Sequence, residues 1–512
     1  MPEATVITPY ATAIPYIAAD AIPKWLDEYN AQRLASYDLY DDMYDNSPST
    51  YSLMLRGSDD RPIYVPTAKR LIRTMARYVG RGWGFTIDPT MGTPADQEAA
   101  KLAFSNLFAR EAILSQFVTG KPEWLRRGDW VWYILADPEK PEGTRLSVRN
   151  IDPRTYFPIT SETDIDRRTG AQLVEEYMLD DGKTLAIKEQ RWLKTIHPDH
   201  PDYGDVNATE IAYESNIWDL ATWKDVEKRK ILQTVTPLAV LPGVTALPLY
   251  HIKNGTGTAN PFGESELKGM ESLVSGINQA ISDEDLALAT MGIGLFETDS
   301  GAPIDPTTKQ PVPWQLGPGM VVEIGTGKHF NKIDGIDDVK PIQDHVGYLE
   351  EQIYGSSGIN NIALGSRGSV QESGIALAIR MQPLFDAADE KDLQINSVLT
   401  QMFHDLATIY FPIYEGQSFG EVVIASDTDT GDRLPFDRAT RWAELVAGFE
   451  ANIFSLDFVH KELVEKFGYD LTKKDLTDAL NQAATKASQA DPYGQRAADE
   501  LGSGADDAAD DA

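Results

Sequence analysis

The chain has 512 residues, enough for about three domains at roughly 150 residues each. Its 46 Lys and Arg face 79 Asp and Glu, a formal charge of −33 that argues against a conventional nucleic-acid binder with a basic face and against docking on an anionic membrane. Apolar residues at 42% suffice for a sizeable core, and the absence of cysteine excludes disulfides, thiolate metal centres and thiol nucleophiles.

Residues 1–19 lack a basic n-region and are interrupted by Pro2, Pro9 and Pro15, so no secretory signal is expected. The first sixty residues are Tyr-rich and acidic (DLYDDMYDNSPSTY, 38–51) and read either as an arm packing on a neighbour or as a peripheral helix and loop. From Pro62 a short entry strand is expected, then a helix with Val65, Ile72, Met75, Ala76 and Val79 at helical spacing, stopped by Gly80, Gly82 and Gly84. Lys69, Arg70, Arg73 and Arg77 sit on that helix and read as a solvated face pairing with the acid excess, the alternative being a DNA patch. Residues 96–128 read as one helix or two. Strands are expected at 130–137 and 144–151, and Asp180-Asp181-Gly182 marks a hairpin between 172–179 and 183–192. Further strands are expected within 209–218 and 228–240. Ile231–Ile252 has no charge over 22 residues, but Pro237, Pro242 and Pro248 break a membrane helix, so a soluble, intracellular α+β block is expected over 60–250.

The texture then changes. Residues 264–291 form a continuous helical pattern with Leu267, Met270, Val274, Ile277, Ile281, Leu288 and Met291 at spacings of three and four, interrupted by Glu284. That is a narrow heptad seam. Residues 293–336 are Gly- and Pro-rich with a strand expected at Met320–Ile324. A second stripe follows in Val339, Ile342, Val346, Leu349 and Ile353. A 44-residue loop between two helices is unusual, so the insert reads as a small module at the tip of a two-helix stalk. A glycine-rich stretch at 355–371 leads into a long helix from Ser373 to about Phe411, with a kink expected at Pro383. Residues 434–485 read as short amphipathic helices with stops at Gly448 and Gly468, and the tail from Ser488, with seven acids, reads as disordered.

No nucleotide-binding, zinc-hydrolase or nucleophile-elbow motif is present. HPDHPD at 197–202 offers His197, Asp199, His200 and Asp202 as ligands but reads as a loop. SDTDTGD at 426–432 lacks the distal Glu of a calcium loop and reads as a turn.

Four stretches occur in a particular order: LPLYHIKNGTGTANPFGESELKGMESLVSGINQAISDEDLALATMG (247–292), LGPGMVVEIGTG (316–327), IYGSSGINNIALGSRGSVQESGIALAIRM (353–381) and RLPFDRATRWAELVAGFEANIFSLDFVHKELVEKFGYD (433–470). With the surrounding elements, over roughly 60–480, they resemble the portal protein, or head-to-tail connector, of tailed bacteriophages. The resemblance implies an α+β portal fold in a ring of twelve: an N-terminal arm (1–60), an α/β wing (61–263), a first stem helix (264–292), a small α/β clip (293–337), a second stem helix (338–354), a tunnel loop (355–372), a long kinked helix and wing return (373–430), a helical crown (431–487) and the acidic tail (488–512). It implies a passive channel for packaging and ejection of double-stranded DNA at one capsid vertex. The implied partners are the terminase large subunit, the major capsid protein, scaffold and head-completion or adaptor proteins. Its place is the virion, with assembly in the host cytoplasm. No catalytic residue, metal or cofactor is implied.

By the same resemblance, Ser366, Arg367 and Ser369 face DNA in the tunnel loop, while Arg73 lies on the outer wing, away from it. The channel stem seam comprises Leu267, Met270, Val274, Ile277, Ile281, Val339, Ile342, Val346, Leu349 and Ile353, expected to face neighbouring helices of the ring. An acid-lined channel would repel phosphates and let DNA slide. The alternatives are another structural virion component, such as a minor head or adaptor protein, and an acidic hydrolase.

Overall fold

A computed structural model describes residues 28–54, 61–161, 164, 167–179, 183–205, 207–223, 230–234, 240–255, 260–293, 295–312, 326–333, 338–359, 363, 374–428, 438–451, 453–465, 467–469 and 471–490. The chain divides into two compact units, Met1–Thr430 and Gly431–Ala512, and mixes helices with antiparallel sheet.

In the first unit, α1 (Glu28–Asp45) buries Leu34, Tyr37, Tyr40, Met43 and Tyr44. The Tyr-rich segment is therefore core from residue 28 onward rather than a free arm. Its acids are used too. Burial alone would raise the Asp41 carboxyl, but Arg127, Arg126 and Arg154 around it hold it below the usual carboxylate range.

Next come α2 (Thr67–Tyr78), β1 (Gly84–Ile87), α3 (Pro94–Arg110) and α4 (Ile113–Arg127). Pro94 and the Thr93 hydroxyl, which accepts from the Asp96 N–H at 3.2 Å, start α3. Ala112, at φ +49°, breaks the run into two helices, and Gly128, at φ +94°, ends the second.

The strands follow as β2 (Asp129–Ala136), β3 (Leu146–Ile151), β4 (Tyr156–Thr160), β5 (Arg168–Met178), β6 (Leu185–Leu193), β7 (Ala212–Asp219), β8 (Ile231–Thr234) and β9 (Leu249–Lys253). They form two antiparallel sheets, β3-β2-β9 and β4-β5-β6-β7-β8. The expected hairpin appears as Met178 opposite Leu185, its turn at 180–182 lying outside the described residues.

The remaining elements of this unit are α5 (Glu271–Ile293), β10 (Leu295–Thr298), β11 (Phe330–Ile333), α6 (Lys340–Ser357), α7 (Gly374–Asp405), a π-helical stretch (Leu406–Glu415) and β12 (Ile424–Asp427). α7 continues through Pro383. β12 pairs with β1, so Ser426 and Asp427, expected in a turn, lie in a strand, where the Ser426 hydroxyl accepts from Trp83 Nε1 at 2.8 Å. Residues 61–66 form no strand. Side chains of α5 take their backbone donors instead: Asn278 Oδ1 accepts from Val65 N and Ser282 Oγ from Ile63 N, each at 2.8 Å. The core is aromatic. Trp83 stacks on Phe117 at 3.9 Å and meets Trp132 and Phe403, tying α4, β2 and α7 together.

The second unit contains α8 (Arg438–Glu450), α9 (Leu456–Glu465) and α10 (Lys473–Ala490), around a small core of Leu445, Leu463 and Phe467. Gly448, expected to stop a helix, lies inside α8, where its missing side chain makes room for the Phe454 ring. Gly468 does follow α9, at φ +71°. α10 runs through Ala490, past the expected start of the tail.

Candidate nucleic-acid interface

The two stalk helices pack against each other. A Cβ on Gly276 of α5 would lie 3.4 Å from Leu349 Cδ1 of α6, and Gln343 Nε2 donates to Glu284 Oε1 at 2.7 Å. Position 276 faces 349 and 284 faces 343, so the helices run antiparallel. Burial is graded along both. Val274 and Ile277 are 0% and 1% exposed, whereas Leu286 and Leu288 reach 37% and 48%; on the return, Tyr348 is 56% exposed and Ile353 is 0%. The pair is rooted in the body and emerges from it. β10 and β11 join at its outer end, Leu295 opposite Ile333, and a bridge links Ile304 to Pro311. The strand expected at Met320–Ile324 lies outside the described residues.

Not all of the expected seam lies on these helices. α5 begins at Glu271 rather than 264, because Gly269 takes φ +84° and the turn before it is closed by Met270 N donating to Leu267 O. Leu267 and Met270 thus precede the helix. Leu267, Met270, Val274, Ile277 and Ile353 are buried within the chain itself. Ile281, Ile342, Val346 and Leu349 are half-buried, and Val339 is the residue before α6. The buried part of the seam therefore faces the chain's own body, not neighbouring helices. Among the described residues, the outward apolar side chains of the stalk include Leu286, Leu288 and Tyr348.

α6 ends where Gly358 turns at φ +67°, and Ile359 is buried again. Ser366, Arg367 and Ser369 lie outside the described residues. Ala363 is the one described residue between 360 and 373, and it shares a hollow of about 680 Å³, open to solvent, with Pro66, Lys69, Arg70, Arg73, Thr74 and Arg77 of the α2 segment. Arg73, expected on the outer wing, therefore lies beside Ala363 of the glycine-rich stretch.

The basic face of α2 is solvated, but among the described residues it is paired with acid at one position only. Arg70 Nη2 meets Glu350 Oε1 at 2.8 Å and donates to the Tyr354 hydroxyl at 2.9 Å. Burial and Glu350 push that phenol up to about 12, against Arg70. Arg73 Nε donates to the Tyr44 hydroxyl at 3.2 Å, and Lys69 Nζ lies 5.3 Å from the centre of the Tyr44 ring. Only Arg70 of the four has a carboxylate partner among the described residues.

Sequence reasoning missed a buried polar cluster in the first unit. Asp129 accepts from the Tyr37 hydroxyl, from Gly263 N at 2.7 Å and from His251 Nε2 at 2.6 Å. Burial holds His251 below its usual range, with Asp129 opposing. The cluster braces β2, β9 and α1, and His251 is buried between the rings of Tyr156 and Phe262.

The His/Asp run is occupied with its own turns. Asp199 N donates to His197 Nδ1 and Asp202 N to His200 Nδ1, each at 3.0 Å, while Asp199 pairs with Arg191 at 2.6 Å. No group of three or more potential metal ligands occurs among the described residues, and none of their helices is long and apolar enough to cross a membrane.

No family model and no curated protein sequence matches the chain. Among solved structures it is similar to a chain of the virion of a native gene transfer agent particle, at 12% identity and a TM-score of 0.41 over 80% of this chain and 91% of that one. It is also similar to chains of the neck of a native particle computed with C12 symmetry (13%, TM-score 0.39, 75% and 87%) and of the neck of an empty particle computed with C6 symmetry (13%, TM-score 0.41, 80% and 91%).

Proposed function

We propose that the chain is the subunit of a portal ring, a passive conduit for double-stranded DNA at one vertex of a phage-like capsid. The observation that carries this reading is the stalk: two antiparallel helices rooted in an α+β body, bearing a two-stranded module at their outer end, with a glycine-rich segment and a 32-residue helix directly after the return helix. The outer stalk exposes Leu286, Leu288 and Tyr348 beside Asp285 and Glu351, an apolar and acidic surface suited to side-by-side copies around a repelling channel. In this reading the ring has twelve copies. The module at 293–337 docks the terminase during packaging and head-completion proteins afterwards. Major capsid protein and scaffold contact the body, and the chain catalyses no reaction.

Native mass measurement and negative-stain imaging of the purified chain test the ring directly. A closed ring of about twelve copies is expected, and a monomer at micromolar concentration refutes it. Deleting 300–315, within the module, should leave the body folded while abolishing terminase capture in a pull-down. Undiminished capture would remove the docking role from the module.

A further inference from the structure

We infer that the basic face of α2 is a contact surface for the phosphate backbone of double-stranded DNA, a proposal that rests on the portal reading for its partner but on α2 itself for its location. The helix TAKRLIRTMARY contains no acid. Ala68, Leu71, Ile72, Met75 and Ala76 are buried on one side and fix it to the body, so Lys69, Arg70, Arg73 and Arg77 are presented on the other by a rigid element.

The eight steps from Lys69 to Arg77 span about 12 Å at 1.5 Å per residue, with cations at successive turns about 6 Å apart. Like charges at this spacing destabilise a helix unless something neutralises them. In a chain with 79 acids, neutralisers are plentiful, yet among the described residues only Arg70 has a carboxylate partner. Glu350 meets Arg70 alone, Tyr44 offers Arg73 a neutral hydroxyl and Lys69 a ring, and Arg77 makes no hydrogen bond or ion pair among the described residues.

The stripe also lines an open hollow of about 680 Å³. An anion there meets guanidinium forks whose planar donors match phosphate oxygens. Contacts from these cations to phosphate carry no sequence information, so recognition through them is independent of sequence. The surrounding acid excess opposes phosphate everywhere else, so few contacts form and each breaks easily, as a sliding duplex requires. Ala363, the one described residue between 360 and 373, lies in the same hollow.

The test uses the full chain, a fluorescent 30-base-pair duplex and anisotropy over a range of salt concentrations. The double variant Arg73→Gln/Arg77→Gln should weaken binding at least tenfold at low salt. It should also reduce the slope of log K against log salt by about two, because two phosphate contacts are lost. Lys101→Gln, an exposed site on α3, should shift binding less than twofold. Equal binding by the double variant and wild type, or no salt-dependent binding by wild type, overturns the proposal. So does a double variant that loses self-association by native mass while wild type keeps it, since the stripe then meets acids of a second copy. A ring with no α2 effect on DNA refutes this inference alone. A monomer whose DNA binding depends on α2 refutes the ring and leaves this inference standing.

Discussion

Ile277→Ala separates two accounts of the stalk. If the seam faced neighbouring subunits, this truncation would loosen the ring and leave the isolated chain stable. The structure instead buries Ile277 within the chain at 1% exposure, on the rooted half of α5. Removing three carbons at about 0.8 kcal/mol each loses roughly 2.4 kcal/mol of transfer free energy. Incomplete collapse around the cavity brings the cost to about 3–4 kcal/mol, inside the usual 2–5 kcal/mol for such truncations. Ile342, on the emergent half of α6, is half-buried, so Ile342→Ala should cost only about 1 kcal/mol. Urea denaturation followed by tryptophan emission reads the first unit, whose core contains Trp83, Trp124, Trp130 and Trp132. The expected result is a large fall in midpoint for Ile277→Ala and a small one for Ile342→Ala. Sedimentation of the folded variants reports assembly separately. An unchanged midpoint for Ile277→Ala, with dissociation of the ring, would show that the seam faces outward and that the rooted-stalk account is wrong.

Acidification should act through His251. Its folded pKa lies below its unfolded value, so the unfolded chain takes up the proton first and stability is lost as pH falls from about 6.5 through the folded value. His251→Gln should therefore cost less stability at pH 5.5 than at pH 7.5 in urea titrations, and an equal cost at both would contradict the linkage. Gly263→Ala should be severely destabilising, at least about 3 kcal/mol, because its Cβ would fall 2.1 Å from the Gly128 carbonyl oxygen and 2.5 Å from Asn254 N, backbone atoms that cannot move aside. A thermal midpoint within a degree of wild type would refute that close approach.

Periodicity alone determined much of this architecture. The hairpin of β5 and β6, the helix stopped by Gly80, Gly82 and Gly84, and the two stalk helices around a small insert all follow from alternation, turn residues and three-four spacing, which act over a few residues. What spacing could not reveal is which partner an apolar stripe meets. The same heptad seam serves a neighbour or the chain's own body, and only the packing of Val274, Ile277 and Ile353 decided for the body. Long-range polar pairing was equally invisible. Asn278 claims the N–H of Val65 across 213 positions, and His251 meets Asp129 across 122, so residues 61–66 became a pinned segment rather than a strand and a lone histidine became part of a buried clamp. The charge pattern behaved in the same way. The four cations of α2 were evident in the sequence, but which acids meet them was not: among the described residues the fold brings Glu350 to Arg70, and all four cations line an open hollow. Local spacing dictates elements, because their hydrogen bonds close over three or four residues; partners at distances of a hundred residues or more depend on the packing of the whole unit.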